Sequence, residues 1–388
     1  MIIGPPPKFH GTRDILVEHP LLADADAREI FRLEHPVASS APAQIFLDAI
    51  LAVASTIASR SDLLVTSREV LLRDESIVTD RVLVADPELA IVLTALQLRS
   101  RGVYPVYRAG GGAFEVSKDL FFHAASYALT PAGHVLWSVT LQNEREGAPD
   151  RLAYLVQAVM TRVARSLQAR DGVLRALFGR SGNNRADDAL FDFDSSMLFL
   201  SGAFDACAVL VDDHLGLDSS PMSVGWGRKS WLNQVKAKQS EIGSLLATGS
   251  ENALLFEILG ALRNTVHGEG ISQTQYKSEI DGDRTLLRLP PRAGQKFIDA
   301  MRVVDPTGQI EVRELAPGRI YIEPLSAVVI LYPRILRLLN ELVAIVAQMA
   351  SVTEVRIDFK AYPSTSATKN NIIFDESIAA SIRRQLWL

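Results

Sequence analysis

The sequence predicts an α+β fold in which a small N-terminal α/β region precedes a larger, mainly helical bundle carrying a β-ribbon insertion. Three features of the apolar pattern lead there. Up to about residue 146, short β-branched runs alternate with single helical stretches. From Asp150 onward, apolar residues recur at three- and four-residue spacing over long segments. Between about 280 and 322 the spacing falls back to two. A chain of 388 residues is roughly two to three times the usual domain size. The reading is therefore two domains, residues 1–146 and 147–388, with 143–149 (NEREGAP) as the linker.

In the first region Ala41 to Arg60 reads as a helix, through Ile45, Phe46, Ala49, Ile50, Val53 and Ile57. Strand-like runs follow at 76–79 (SIVT) and 81–85 (RVLVA). A helix over Pro87 to Arg101 stops at Gly102, and Val103 to Tyr107 extends. Gly110, Gly111 and Gly112 mark a turn, and His134 to Gln142 alternates like a strand. In the second region Asp150 to Arg180 carries one apolar stripe, whereas Asp188 to Leu217 is apolar over more than half its circumference, as a central helix would be. Ser230 to Leu246, Glu251 to His267, Glu323 to Met349 and Asp375 to Leu388 read as further helices. Thr285 to Leu289, Gln309 to Arg313, Arg319 to Ile322 and Val355 to Phe359 read as strands.

Composition narrows the function classes. The net charge of −5 gives no global attraction to nucleic acid or anionic lipid. One cysteine, Cys207, excludes a disulfide framework and a cysteine-based zinc site, and its apolar surroundings read as core. A membrane span takes about 20 apolar residues. The stretches Ala49–Ser59 and Pro324–Pro333 fall short of that, and 1–7 (MIIGPPP) lacks the pattern of a secretory signal, so the expected compartment is the cytoplasm.

Several chemical patterns are weak. The glycine triplet lacks the Gly-Lys-Ser/Thr of a phosphate-cradling loop, so a hairpin turn is the plainer reading. Asp192, Asp194, Asp212 and Asp213 have no histidine at i+3 or i+4, and read as solvated helix positions rather than metal ligands. No metal or cofactor site is read from the sequence. The informative segment is 256–270 (FEILGALRNTVHGEG). Arg263 and His267 are four apart at the end of a helix and share one face, Asn264 follows the arginine, and Gly268 suits a helix C-terminus. A guanidinium that can grip a phosphate beside an imidazole that can move a proton is a minimal kit for cleaving RNA. RNA needs no metal for this, since its 2′-hydroxyl can be the nucleophile.

Here the sequence resembles the HEPN superfamily of helical RNases and RNA-associated proteins. The specific part is Arg263-Asn264-Thr265-Val266-His267, spaced one residue shorter than the usual family pattern. The helical layout extends the likeness over about Asp150 to Leu388, and 199–206 (FLSGAFDA) is similar to the apolar helix that packs beside the family's motif helix. The resemblance implies an RNA-directed protein, in particular a metal-independent endoribonuclease of toxin or defence type. Arg263 would hold the scissile phosphate, Asn264 would orient it and His267 would be general acid or base. It also implies a homodimer through the motif helix. The alternative is a non-catalytic helical interaction or sensor protein in which Arg263 and His267 are structural.

Two basic stretches stand against the acidic total. Asp150 to Arg180 holds Arg151, Arg162, Arg165, Arg170, Arg175 and Arg180 against two aspartates. Gly225 to Ser240 holds Arg228, Lys229, Lys236 and Lys238 with no acid, plus Trp226 and Trp231. Cations beside aromatics suit single-stranded RNA. The plainer reading is a solvated helix face with both tryptophans buried.

Overall fold

The computed structural model of the chain describes residues 2–3, 63–67, 72, 83–107, 113–133, 135–136, 151–178, 185–267, 272–278, 282–289, 294–349 and 376–388. It is mainly helical with a few small sheets, an α+β arrangement as the sequence predicts. The chain divides into two compact units, Met1–Thr94 and Ala95–Leu388. In the first, β1 (Ile2–Ile3) lies antiparallel to β2 (Leu63–Val65), which pairs in parallel with β3 (Leu83–Ala85). The boundary falls within α1 (Pro87–Ser100). The readings at 41–60, 76–79, 110–112, 143–149 and 355–359 lie outside the described residues.

The second unit opens with an antiparallel pair, β4 (Tyr104–Tyr107) and β5 (Ala113–Val116), with Tyr104 opposite Val116. Next comes α2 (Lys118–Leu129), capped by the Ser117 side chain, which accepts from the Leu120 amide. Phe121 and Phe122 of this helix meet edge-on at 5.3 Å and both contact the Tyr104 ring. The predicted strand at 134–142 is corrected at its start, where Val135 and Leu136 are helical. A short apolar run with Leu136 buried fits either period, so alternation alone misreads it.

Two long helices form the spine, α3 (Arg151–Phe178) and α4 (Arg185–His214). They run antiparallel, with Arg151 on Asp213 at one end and Gly172 against Asp192 towards the other. Midway, Ser166 Oγ donates to the Ser196 carbonyl at 2.7 Å and Ser196 Oγ donates back to the Ser166 carbonyl at 3.1 Å. A Cβ at position 172 would stand 2.1 Å from Asp192 Oδ2, so a larger residue there would displace the Asp192 carboxylate. By length and composition, residues 186–214 are apolar enough to cross a membrane, and 61% of their most apolar window is buried within the protein. That burial makes α4 the central helix the sequence predicts.

The stretch read as one helix over 230–246 is two, α5 (Lys229–Lys238) and α6 (Ser240–Leu245), separated by the extended residue Gln239. The motif helix α7 (Glu251–His267) has the predicted limits. The β insertion is larger than a ribbon. It begins at β6 (Ser272–Ser278), continues through β7 (Gly282–Arg288), and encloses a helix, α8 (Gly294–Val304), before β8 (Val312–Ala316) and β9 (Arg319–Ile322). The sheet is antiparallel in the order β6-β7-β9-β8. β6 reads SQTQYKS, almost without β-branched or apolar residues, so it carries no strand signal of its own and pairs along its whole length with β7. The predicted helix at 323–349 contains a π segment, Ala327–Leu331, between α9 (Pro324–Ser326) and α10 (Tyr332–Met349). The last helix is α11 (Glu376–Gln385).

The core buries charge as well as apolar surface. Arg99 and Arg170 are 1% and 0% exposed and Asp171 is 2% exposed, so part of the predicted basic face of α3 is interior. Arg99 donates through Nε and Nη2 to Asp171 Oδ1, at 3.0 and 2.6 Å, and through Nη2 to the Gln385 carbonyl. Arg170 donates to the Val328 carbonyl in the π segment and to the Leu386 and Trp387 carbonyls. Its guanidinium also lies over the Tyr332 ring, and burial lowers its pKa to about 10. Breaking a buried pair leaves an uncompensated charge and costs about 3–5 kcal/mol. Asp171→Asn should therefore lower unfolding free energy by about that amount in urea titrations, and a loss below about 1 kcal/mol would mean water reaches Arg99.

Candidate functional site

The motif helix α7 buries Leu255, Ile258, Leu259 and Leu262. Those positions form one helical stripe, which packs α7 against α4, α8 and α10. Phe256 meets Phe204 of α4 at 5.7 Å between ring centroids. The α4 segment 199–206 thus lies beside α7. Arg263, one residue beyond the buried Leu262, leaves the core stripe and reaches Asp205 of α4. Its Nη2 stands 3.0 Å from Asp205 Oδ2, and its Nη1 donates to Oδ1 at 3.5 Å. The two side chains are 36% and 47% exposed, so this is a surface ion pair and not a sealed one.

Asp205 has a second cation beside it. Arg162 of α3 anchors its own Nη1 on the Ala158 carbonyl, and its stem crosses Gly202, where a Cβ would come within 3.2 Å of Cδ and Nε. Partial burial pushes the Asp205 carboxyl above its ordinary range, while Arg263 and Arg162 both pull it down. One turn from Arg162, Arg165 places its guanidinium 5.8 Å over the Phe199 ring. Phe199, Gly202 and Asp205 are three apart along α4 and so share a face, as Arg162 and Arg165 do on α3.

Compared with known protein families, curated proteins and solved structures, the chain matches none. The site therefore rests on its own geometry.

Asn264 and His267 lie on the last turn of α7, but their side chains are outside the described part of the structure. The basic stretch at 225–240 attaches to α4. Trp226 Nε1 donates to the Phe204 carbonyl and Trp231 Nε1 to Asp212 Oδ1, with the two indoles 5.2 Å apart and edge-on. Both tryptophans are buried, so they serve as anchors of α5 and offer no stacking surface for bases. Asp212 is likewise a buried acceptor rather than a solvated helix end. Lys238 donates to the Leu215 and Gly216 carbonyls just past α4, and Lys236 to the Leu246 carbonyl that ends α6. Both lysines thereby stabilise helix C-termini. Arg228 and Lys229 are exposed. Arg263 and the tryptophan anchor meet consecutive residues of α4, Asp205 and Phe204.

Sequence reasoning missed Asp205 as the partner of Arg263, because the two are 58 residues apart. An isolated glycine inside an apolar helix, Gly202, did mark a close approach, but by Arg162 of α3 rather than by Arg263.

Elsewhere on α4, burial pushes the Asp194 carboxyl up to about 6, and its Oδ1 has no hydrogen-bond partner among the described residues. Since the unfolded value is about 3.9, the folded state binds the extra proton, so Asp194 costs stability as pH rises from about 4 through about 6. Asp194→Asn should raise the melting temperature at pH 7 and flatten its fall over that window. An unchanged profile would place Asp194 in water. Arg263→Ala should shift stability by no more than about 1 kcal/mol, as expected of an exposed pair, when measured by chemical denaturation. A loss comparable to that of Asp171→Asn would show that Arg263 holds the fold together.

Proposed function

We propose that this protein acts on RNA as a HEPN-like, metal-independent endoribonuclease of toxin or defence type, working in the cytoplasm. The observation that supports this reading is the surface position of Arg263 at the end of α7, aimed by Asp205 of the neighbouring helix. An exposed pair of this kind adds little stability, whereas a guanidinium so placed can trade part of its carboxylate contact for a phosphodiester. Arg263 then holds the scissile phosphate and Asn264 orients it. The ribose 2′-oxygen attacks phosphorus and the bond to the 5′-oxygen breaks, leaving a cyclic phosphate and a 5′-hydroxyl. His267 either takes the 2′ proton or gives one to the leaving oxygen. Its copy in a homodimer, paired through α7, supplies the complementary role. No metal or cofactor is required. Arg228 and Lys229 extend the RNA contact, whereas Lys236 and Lys238 are held on helix-terminal carbonyls.

A second reading is favoured by Asp205 itself, whose carboxylate neutralises Arg263. In that reading the protein is a non-catalytic helical interaction or sensor protein and the pair only joins α4 to α7. Incubation of total RNA with the protein in EDTA separates them. The nuclease reading expects cleavage by a sample that sediments as a dimer. His267→Ala should reduce the rate by about 10²-fold or more, since proton transfer contributes that much. Arg263→Lys should also reduce it strongly by losing the planar fork. Intact RNA under all conditions would leave the interaction reading standing.

A further inference from the structure

The surface where α3 and α4 lie side by side carries three arginines in a row. Arg165 sits over Phe199, Arg162 crosses Gly202 towards Asp205, and Arg263 grips Asp205 from the far side. Arg162 and Arg165 are separated by less than one helical turn, about 4.5 Å along the axis. Arg162 and Arg165 are neighbours on α3, and Arg263 joins them from about a hundred residues later through the packing of α3 and α7 on α4. One carboxylate serves two of these guanidiniums, so the row keeps an excess of positive charge in a protein whose total charge is −5.

Glycine is a poor choice inside a long helix, costing about 1 kcal/mol relative to alanine. Gly202 is explained by what lies on it. The Arg162 stem lies close over it, so that a Cβ there would stand 3.2 Å from Cδ and Nε and push the stem outward by a few tenths of an ångström. Arg165, resting over an aromatic ring, presents a flat cation on which a base can stack.

We propose that Arg165, Arg162 and Arg263 form a continuous phosphate-binding track for single-stranded RNA across α3, α4 and α7. The track leads the strand to the motif helix. This rests on the RNA-directed reading above and adds residues to it that the motif does not contain. Asp205 holds Arg263 by an ion pair, while Arg162 is held by the Ala158 carbonyl and feels the Asp205 charge beside it. Arg162 and Arg165 are binding residues rather than catalytic ones, because neither takes part in the proton transfers assigned to His267.

The test uses the full-length protein and a fluorescent 2′-O-methyl oligouridylate, which lacks the nucleophilic hydroxyl and so is bound without being cut. Each phosphate contact contributes about 0.7 to the slope of log affinity against log salt for a single strand. The Arg162→Gln/Arg165→Gln double variant should lower that slope by about 1.4. Gly202→Ala keeps every charge but lifts Arg162, and should weaken binding with an unchanged or raised melting temperature. Arg151→Gln is the control, about 16 Å further along α3, and should leave the slope unaltered. If the wild-type protein binds the probe and cuts total RNA while the double variant keeps the full slope, the track is wrong and the RNA-directed function stands. If the wild-type protein neither binds the probe nor cuts RNA, both fall. Binding of polyglutamate in place of the probe would overturn the track in favour of an acidic protein partner.

Discussion

The antiparallel register of α3 and α4 is the constraint on which the rest of the second unit depends. It is set by the reciprocal serine pair Ser166–Ser196, with the ion pair Arg151–Asp213 at one end and the Gly172–Asp192 approach towards the other. Small residues at these points let two helices of about 30 residues lie close enough to bury a shared seam. The helices α2, α7 and α10 pack directly on this pair, and α6, α8 and α11 pack on those in turn. A slip of one residue would carry Arg170 out of the interior and bring Arg162 away from Gly202, so a single register decides both the buried charges and the surface ones.

The arginines of α3 consequently divide into two populations. Arg170 faces inward and is used up by backbone carbonyls, while Arg162 and Arg165 face outward beside a half-exposed acid and an aromatic ring. The energetic consequences differ in kind. An interior guanidinium costs several kcal/mol if its partners leave, whereas an exposed one is nearly neutral for folding.

The sequence makes the long helices legible because their apolar positions repeat over many turns, and α7 is recovered with its limits for that reason. It does not reveal β6, whose polar residues become a strand only when β7 lies alongside, nor the break at Gln239, a single extended residue between two helical stretches. The helix α8 was hidden for a different reason. Phe297, Ala300, Met301 and Val304 keep helical spacing, but strand-like runs on both sides dominate the local pattern. At the site, Arg263 could be singled out from its neighbours in sequence, whereas Asp205 and Arg162 could not. A pairing across 58 residues leaves no local trace. The count of basic residues in Asp150 to Arg180 likewise hides which face each one takes.

The capture of Leu386 and Trp387 by Arg170 has a bearing on how the chain reaches its native state. The donors lie on α3, yet their acceptors follow 216 and 217 residues later, and Val328 158 residues later. Loop closure over such distances is entropically costly and slow relative to helix formation. The α3–α4 hairpin rests on contacts close in sequence, whereas the Arg170 hydrogen bonds need residues up to 217 positions further on, so the two parts of this core differ widely in contact order.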